Sequence, residues 1–157
     1  MVWGPVSLAL LCALGALLVA AALEDIRHRE IANWKNGIIS VLAPLWWVAN
    51  GIGGIEILWQ IGVALLVFGF FAGMFALGLM GGGDVKMIGA ITLWLPLQPL
   101  LGMLIAMALA GGAITLAMTI ERRWRLDSTA SIEVPYGVAI AIAGLLAIRE
   151  PLFNQIA

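Results

Sequence analysis

The chain has little charge, a single histidine and a single cysteine. Of its 157 residues, 11% are charged and 63% are hydrophobic, and the mean hydropathy is +1.08. This composition excludes a water-soluble domain with an ordinary polar surface. Because Cys12 is the only cysteine, an internal disulfide and a multi-cysteine zinc site are also excluded. The net charge of −1 provides no basic surface for a nucleic acid.

Six apolar segments nearly fill the chain and leave no room for a soluble domain. A membrane-spanning helix needs about 20 residues, so the sequence predicts an all-α, polytopic membrane bundle of about six transmembrane helices. We expect residues 1–157 to form a single membrane-embedded domain. The fourth segment is short, and at 1.5 Å per residue it covers only roughly 16 Å. The six segments are residues 5–23, 37–49, 57–80, 85–95, 100–120 and 134–148.

The positive charges predict the orientation of the bundle. Lysine and arginine in short loops are retained on the cytoplasmic side, and seven of the eight follow the first, third or fifth segment, with only Arg149 on the other side. Both termini are therefore expected outside. Tryptophan prefers the headgroup level, and all seven tryptophans lie near predicted helix ends: Trp3, Trp46, Trp47, Trp59 and Trp94 at outer ends, Trp34 and Trp124 at inner ends.

Three consecutive glycines and then an acid directly follow the third segment. Gly81, Gly82 and Gly83 precede Asp84, and Lys86 follows. An acidic residue costs roughly 2.5–3.5 kcal/mol at the centre of an inserted helix, so an acid at membrane depth indicates a functional site. The glycines permit unusual φ/ψ values and the close approach of another backbone. A tight turn with Asp84 as the helix N-cap is the structural alternative. Lys86 could lower the pKa of Asp84 or anchor the inner interface.

A second acid, Asp25, follows the first segment. Two spans separate it from Asp84, so both acids are expected at the cytoplasmic face. Two neighbouring carboxylates in a poorly solvated site cannot both ionise easily, and one would hold a proton at neutral pH. Such a pair suits hydrolysis, since the ionised acid activates water and the neutral acid protonates the developing oxyanion. No metal or cofactor is required. A proton- or cation-handling transport subunit is the main alternative, and a non-catalytic assembly factor is another.

Three segments together resemble the type IV prepilin peptidases, which are GxGD aspartic proteases, and most of all the short form found with Flp/Tad pili. They are Asp-Ile-Arg-His-Arg-Glu-Ile-Ala-Asn at residues 25–33, Gly-Gly-Gly-Asp-Val-Lys at 81–86 and Val-Pro-Tyr-Gly at 134–137. The resemblance implies that Asp25 and Asp84 are the catalytic acids. We expect the glycines, Lys86, Asn33 and Tyr136 to shape the site or the approach of the substrate.

The sequence departs from that family in two places. Ile-Ala-Asn stands at residues 31–33 where the family often has Ile-Pro-Asn. The longer enzymes carry a cytoplasmic insertion with paired cysteines and N-methylate their product, whereas about a dozen residues join the first two segments here. The sequence therefore predicts no methyltransferase insertion.

The resemblance also implies a substrate and a location. It predicts a multi-pass enzyme of the bacterial cytoplasmic membrane that removes the leader peptide from Flp-type prepilins at the cytoplasmic face. The expected partners are the prepilin helix in the bilayer and the lipid membrane, with no nucleic acid. Preflagellin-like or other signal-bearing membrane proteins are the alternative substrates.

Overall fold

The computed structural model describes residues 4–125 and 136–156, and these residues fold into six helices without a strand. The predicted all-α helical bundle is confirmed. In chain order the helices are α1 (Pro5–His28), α2 (Asn33–Ala49), α3 (Ile55–Ala76), α4 (Gly82–Thr92), α5 (Leu97–Arg125) and α6 (Tyr136–Ile156).

The first and third helices end at different residues from those predicted. α1 begins with Pro5 in its first turn, where proline is well tolerated. It continues to His28 and closes on Arg29, whose φ of 57° is left-handed and whose N–H donates to the carbonyl oxygen of Asp25. Asp25 therefore lies inside the last turn of α1. α3 ends earlier than predicted, and Gly78 turns the chain with a φ of 72°.

Three helices in the described part of the chain are long and apolar enough to cross a membrane. They are α1, α3 and the Leu97–Glu121 part of α5. The remaining helices are shorter: α2 has 17 residues, α4 has 11, and the apolar part of α6 is Tyr136–Arg149. The chain is therefore a membrane protein, while the number of crossings and the side of each terminus remain predictions.

Glycine contacts show that the helix pairs α3–α4 and α1–α6 are antiparallel. Gly82 and Gly89 of α4 pack on Phe75 and Phe68 of α3, respectively. In the same way, α6 runs back along α1, with its first turn at Asp25 and Gly144 at Leu18. The ends of α1 and α3 and the beginnings of α2, α4 and α6 therefore meet at one end of the bundle, which we call the acid end.

The short helix α4 is enclosed by three other helices. It packs against α2, α3 and α6, and every residue from Val85 to Thr92 is buried except Lys86. Its C-terminal end receives hydrogen bonds from neighbouring side chains. Trp47 donates its indole N–H to the carbonyl oxygen of Leu93 at 2.8 Å, and Gln60 donates to those of Thr92 and Leu95 at 2.6 and 2.7 Å.

The tryptophans divide into two groups that the sequence did not separate. Trp34 and Trp59 are exposed, as expected for the headgroup level. Three others, expected there as well, are buried in the bundle: Trp46, Trp47 and Trp94. Trp94 donates its indole N–H to the carbonyl oxygen of Ile39 at 2.9 Å and packs on Trp46. Their role is thus to join helices, while the side chains of Trp3 and Trp124 lie outside the described residues.

Candidate active site

Asp25 is held by the beginning of α6. Its side chain is 5% exposed, and Oδ2 accepts a hydrogen bond of 3.3 Å from the N–H of Val138. The N–H of Gly137 also donates to this carboxyl group. The first N–H groups of a helix have no partner inside it and form the positive end of the helix dipole. The start of α6 therefore favours the ionised form of Asp25, against the larger effect of burial, which disfavours it.

Asp84 lies in the first turn of α4, outside the three helices long enough to span a membrane. Gly81 is the N-cap, with φ −70° and ψ 143°, so the alternative in which Asp84 is the N-cap is wrong. Asp84 is the third helical residue, and its carboxyl group accepts the backbone N–H of Gly81. This is the reciprocal half of a capping box, in which the third residue reaches back to the cap. The cap fixes the carboxyl group close to the glycine run.

The two acids lie close enough to interact. Burial, and secondly the charge of Asp25, raise the pKa of Asp84 from 3.8 to about 7, while the hydrogen bond from Gly81 opposes the rise. At neutral pH Asp84 is therefore protonated in a large fraction of the molecules. The N–H groups of α6, in contrast, favour the ionised form of Asp25. The structure thus gives the two carboxyl groups different environments, which is the condition for one acid and one base.

The glycine run serves close packing rather than unusual backbone conformation. None of Gly81, Gly82 and Gly83 has a positive φ, so the expectation of unusual φ/ψ values is wrong. A Cβ atom on Gly83 would lie 3.3 Å from the Cβ of Ile31, and one on Gly81 would lie 3.0 Å from Oδ2 of Asp84. The close neighbours are this chain's own residues, and a role in the approach of a substrate remains a prediction.

Gly137 and Ile31 are the site residues that sequence reasoning missed. A Cβ atom on Gly137 would lie 2.8 Å from Oδ2 of Asp25 and 2.8 Å from Cδ1 of Ile31. Ile31 thus lies between two glycines, Gly83 before one acid and Gly137 beside the other. The sequence signal that could have identified Gly137 was its place at the end of the Val-Pro-Tyr-Gly segment, where α6 begins.

The residues between α1 and α2 are fixed by an ion pair. Glu24 of α1 accepts hydrogen bonds from Nζ of Lys35 at 2.7 Å and from the N–H of Ala32 at 3.0 Å. Lys35 also donates to the carbonyl oxygen of Ala20 at 3.0 Å. These contacts hold the connecting residues in place, and with them Ile31.

Asn33 and Lys86 contact each other. Nζ of Lys86 donates to Oδ1 of Asn33, the first residue of α2, at 2.8 Å. Of the two alternatives for Lys86, an effect on the pKa of Asp84 is not supported, because that pKa is set by burial, by the charge of Asp25 and by the N–H of Gly81. Both residues brace the start of α4 against α2, and a role in shaping the site remains a prediction.

Tyr136 packs on α5. A Cβ atom on Gly111 of that helix would lie 3.0 Å from the Tyr136 ring. The structure therefore brings its neighbour Gly137, rather than the tyrosine ring, against Asp25. A site role for Tyr136 remains a prediction, and Val134 and Pro135 lie outside the described residues.

A groove of about 470 Å³ between α2 and α3 borders the acid-bearing helix. Its floor is formed by one face of α4, including Lys86, Gly89 and Ala90, and by Leu93, which directly follows the helix. Asp84 precedes Lys86 by two residues, which is about 200° around a helix. The acid therefore lies on the opposite side of α4 from this groove.

The fold and the site define a helical membrane protein with two interacting carboxyl groups at one end of its bundle. The model of the type IV leader peptidase family matches residues 12–116, about two thirds of the chain. The chain belongs to this family, and it is a peptidase by membership. The match includes Asp25 and Asp84 and ends before α6. Neither the curated proteins nor the solved structures contain a significant match.

Proposed function

We propose that the chain is a membrane aspartic endopeptidase that cleaves the leader peptide from Flp-type prepilins at the cytoplasmic face of the bacterial cytoplasmic membrane. The observation that carries this proposal is the pairing of Asp25 and Asp84 in unlike environments within a member of the type IV leader peptidase family. The prepilin and its cut site come from the family resemblance. A substrate helix in the same bilayer would bring its leader junction to the depth of the acid end.

The two acids divide the chemistry of amide hydrolysis. Asp25, ionised and held by the N–H groups of α6, takes a proton from water as the water oxygen attacks the scissile carbonyl carbon. Asp84 donates its proton to the carbonyl oxygen, which gives a neutral diol. When the C–N bond breaks, Asp25 returns its proton to the leaving amine and Asp84 recovers one from the diol. Both acids end in their starting states.

The test is processing of a Flp-type prepilin, followed by gel shift, with purified enzyme in lipid. Asp25→Asn and Asp84→Asn should each abolish detectable processing, because each variant removes one of the two proton transfers. Glu56→Gln is the matched control, since Glu56 is an exposed acid at the other end of α3, and it should process at the wild-type rate.

Two results would contradict the proposal. Processing that survives either aspartate substitution would exclude the two-acid mechanism. A wild-type enzyme that processes none of several prepilins, but conducts protons or cations in proteoliposomes in an Asp84-dependent manner, would favour the transport alternative.

A further inference from the structure

Asn36, in the second turn of α2, contacts the residue that precedes the acid of α4. Its side chain is 4% exposed, and Nδ2 donates a hydrogen bond of 3.2 Å to the carbonyl oxygen of Gly83. Gly83 is joined directly to Asp84. The bond therefore connects α2 to the one turn of α4 that carries the acid.

This hydrogen bond is not needed to complete α4. In a regular α-helix the carbonyl oxygen of Gly83 accepts the N–H four residues later, that of Met87. A carbonyl oxygen has a second lone pair, and Asn36 uses it. The bond therefore adds nothing to the helix itself and serves to fix where its first turn lies.

The same side chain carries a buried polar atom that the fold does not satisfy. Oδ1 of Asn36 has no hydrogen-bond partner within the described residues. Turning the amide over would place Oδ1 against the carbonyl oxygen of Gly83, two acceptors at hydrogen-bond distance, so the orientation is fixed. A buried acceptor without a partner lowers stability. A leucine of similar size would avoid that loss, so Asn36 is a residue that stability alone does not select.

We propose that Asn36 is a positioning residue that fixes the first turn of α4, and with it the carboxyl group of Asp84, relative to Asp25. This inference rests on the proposed function of the two acids. The other link from α2 to this turn, between Asn33 and Lys86, is exposed. Asn36, which is 4% exposed, is the buried residue of the two that link α2 to this turn.

Asn36→Leu tests the inference because activity and stability should change in different directions. Displacing a reacting group by about 1 Å can cost a factor of about 100 in rate, so kcat for prepilin cleavage should fall by at least about tenfold with little change in KM. The Tm should stay the same or rise, because the unpaired oxygen is removed. A merely structural residue would give a lower Tm and an unchanged kcat per folded enzyme, and this result would overturn the inference.

A control variant sharpens the comparison. Ser40→Ala is the matched control one turn further along α2, since Ser40 donates only to the carbonyl oxygen of Asn36 in its own helix. It should cleave as the wild type does, and a comparable loss in this control would count against a specific role of Asn36.

Hydrogen exchange gives a readout that does not depend on cleavage. The backbone N–H groups of residues 85–87 are the first bonded within α4, and they should exchange faster in Asn36→Leu while the rest of α4 is unchanged. Unchanged exchange together with a wild-type kcat would overturn the inference. If the wild type itself cleaves no prepilin, the proposed function fails, and the exchange rates still decide whether Asn36 fixes this turn.

Discussion

Replacing Gly137 by alanine should disable the site while leaving both acids in the sequence. The added Cβ atom would lie 2.8 Å from Oδ2 of Asp25, 2.9 Å from its Cγ and 2.8 Å from Cδ1 of Ile31. Ordinary contacts begin near 3.4 Å. Either the Asp25 carboxyl group or the start of α6 must therefore move by about 0.6 Å, the difference between 3.4 and 2.8 Å.

That displacement is large for a catalytic group and modest for the fold. Productive geometry has to be kept within about 0.5 Å, and misplacement by about 1 Å can cost a factor of about 100 in rate. We expect Gly137→Ala to slow prepilin cleavage by about 10- to 100-fold. Overpacking by one methyl group costs about 1–3 kcal/mol, so the helices should still assemble with a lowered Tm.

Gly15→Ala is the matched control, because it adds a methyl group to the same pair of helices. Its Cβ atom would lie 3.6 Å from Leu145 and 3.8 Å from Ile148, both ordinary contacts. Alanine is also favoured over glycine inside a helix by about 1 kcal/mol. The control should therefore keep wild-type cleavage and an equal or higher Tm.

The assay is the initial rate of prepilin processing at matched concentrations of folded enzyme, with Tm measured on the same samples. If Gly137→Ala cleaves at the wild-type rate, the close approach of α6 to Asp25 does not set the geometry of the reaction. Equal loss in Gly15→Ala would show that the α1–α6 contact as a whole, rather than the site, is sensitive.

Two other perturbations test the electrostatics and the support of α4. Because Asp84 has to donate a proton and its pKa is raised to about 7, the cleavage rate should fall as the pH rises through about 7. Between pH 3.8 and about 7, the folded state also holds a proton that the unfolded chain releases, so the free energy of unfolding should decrease with rising pH. Thermal unfolding should show this slope in the wild type and a shallower one in Asp84→Asn; an equally steep slope in the variant would contradict the assignment. Gln60→Leu removes two hydrogen bonds to the end of α4 and should cost about 1–3 kcal/mol at an unchanged cleavage rate per folded enzyme; an unchanged Tm would contradict this support.

The acid end could be predicted from the sequence because it depends on the number of helices between the two acids and on the residues next to each acid. Two apolar segments separate Asp25 from Asp84, and short connections oblige consecutive helices to run back and forth. The glycine run likewise indicates close packing at Asp84. The structure agrees on both points, bringing the end of α1 and the start of α4 together and packing Gly83 on Ile31.

The contribution of α6 could not be predicted in the same way. Gly137 contacts a carboxyl group 112 residues earlier in the chain, and its neighbour Val138 donates an N–H to the same group. A backbone N–H leaves no trace in the sequence, since every residue except proline has one. The segment of residues 134–137 showed that the start of the last helix matters, but not that its N–H groups hold Asp25.

Side chains of neighbouring helices support both ends of α4. Its eleven residues cover roughly 16 Å, about half of the hydrocarbon thickness, so α4 is too short to cross a membrane by itself. The C-terminal carbonyl groups of a helix have no partner within it, and here Trp47 and Gln60 donate hydrogen bonds at that end. The donation of Gln60 to Thr92 and Leu95 closes the far end of α4, while the cap at Gly81 and the bond from Asn36 fix the near end. With both ends bonded to neighbouring helices, α4 cannot slide along its axis without breaking hydrogen bonds, so the position of Asp84 relative to Asp25 is set by contacts within the bundle.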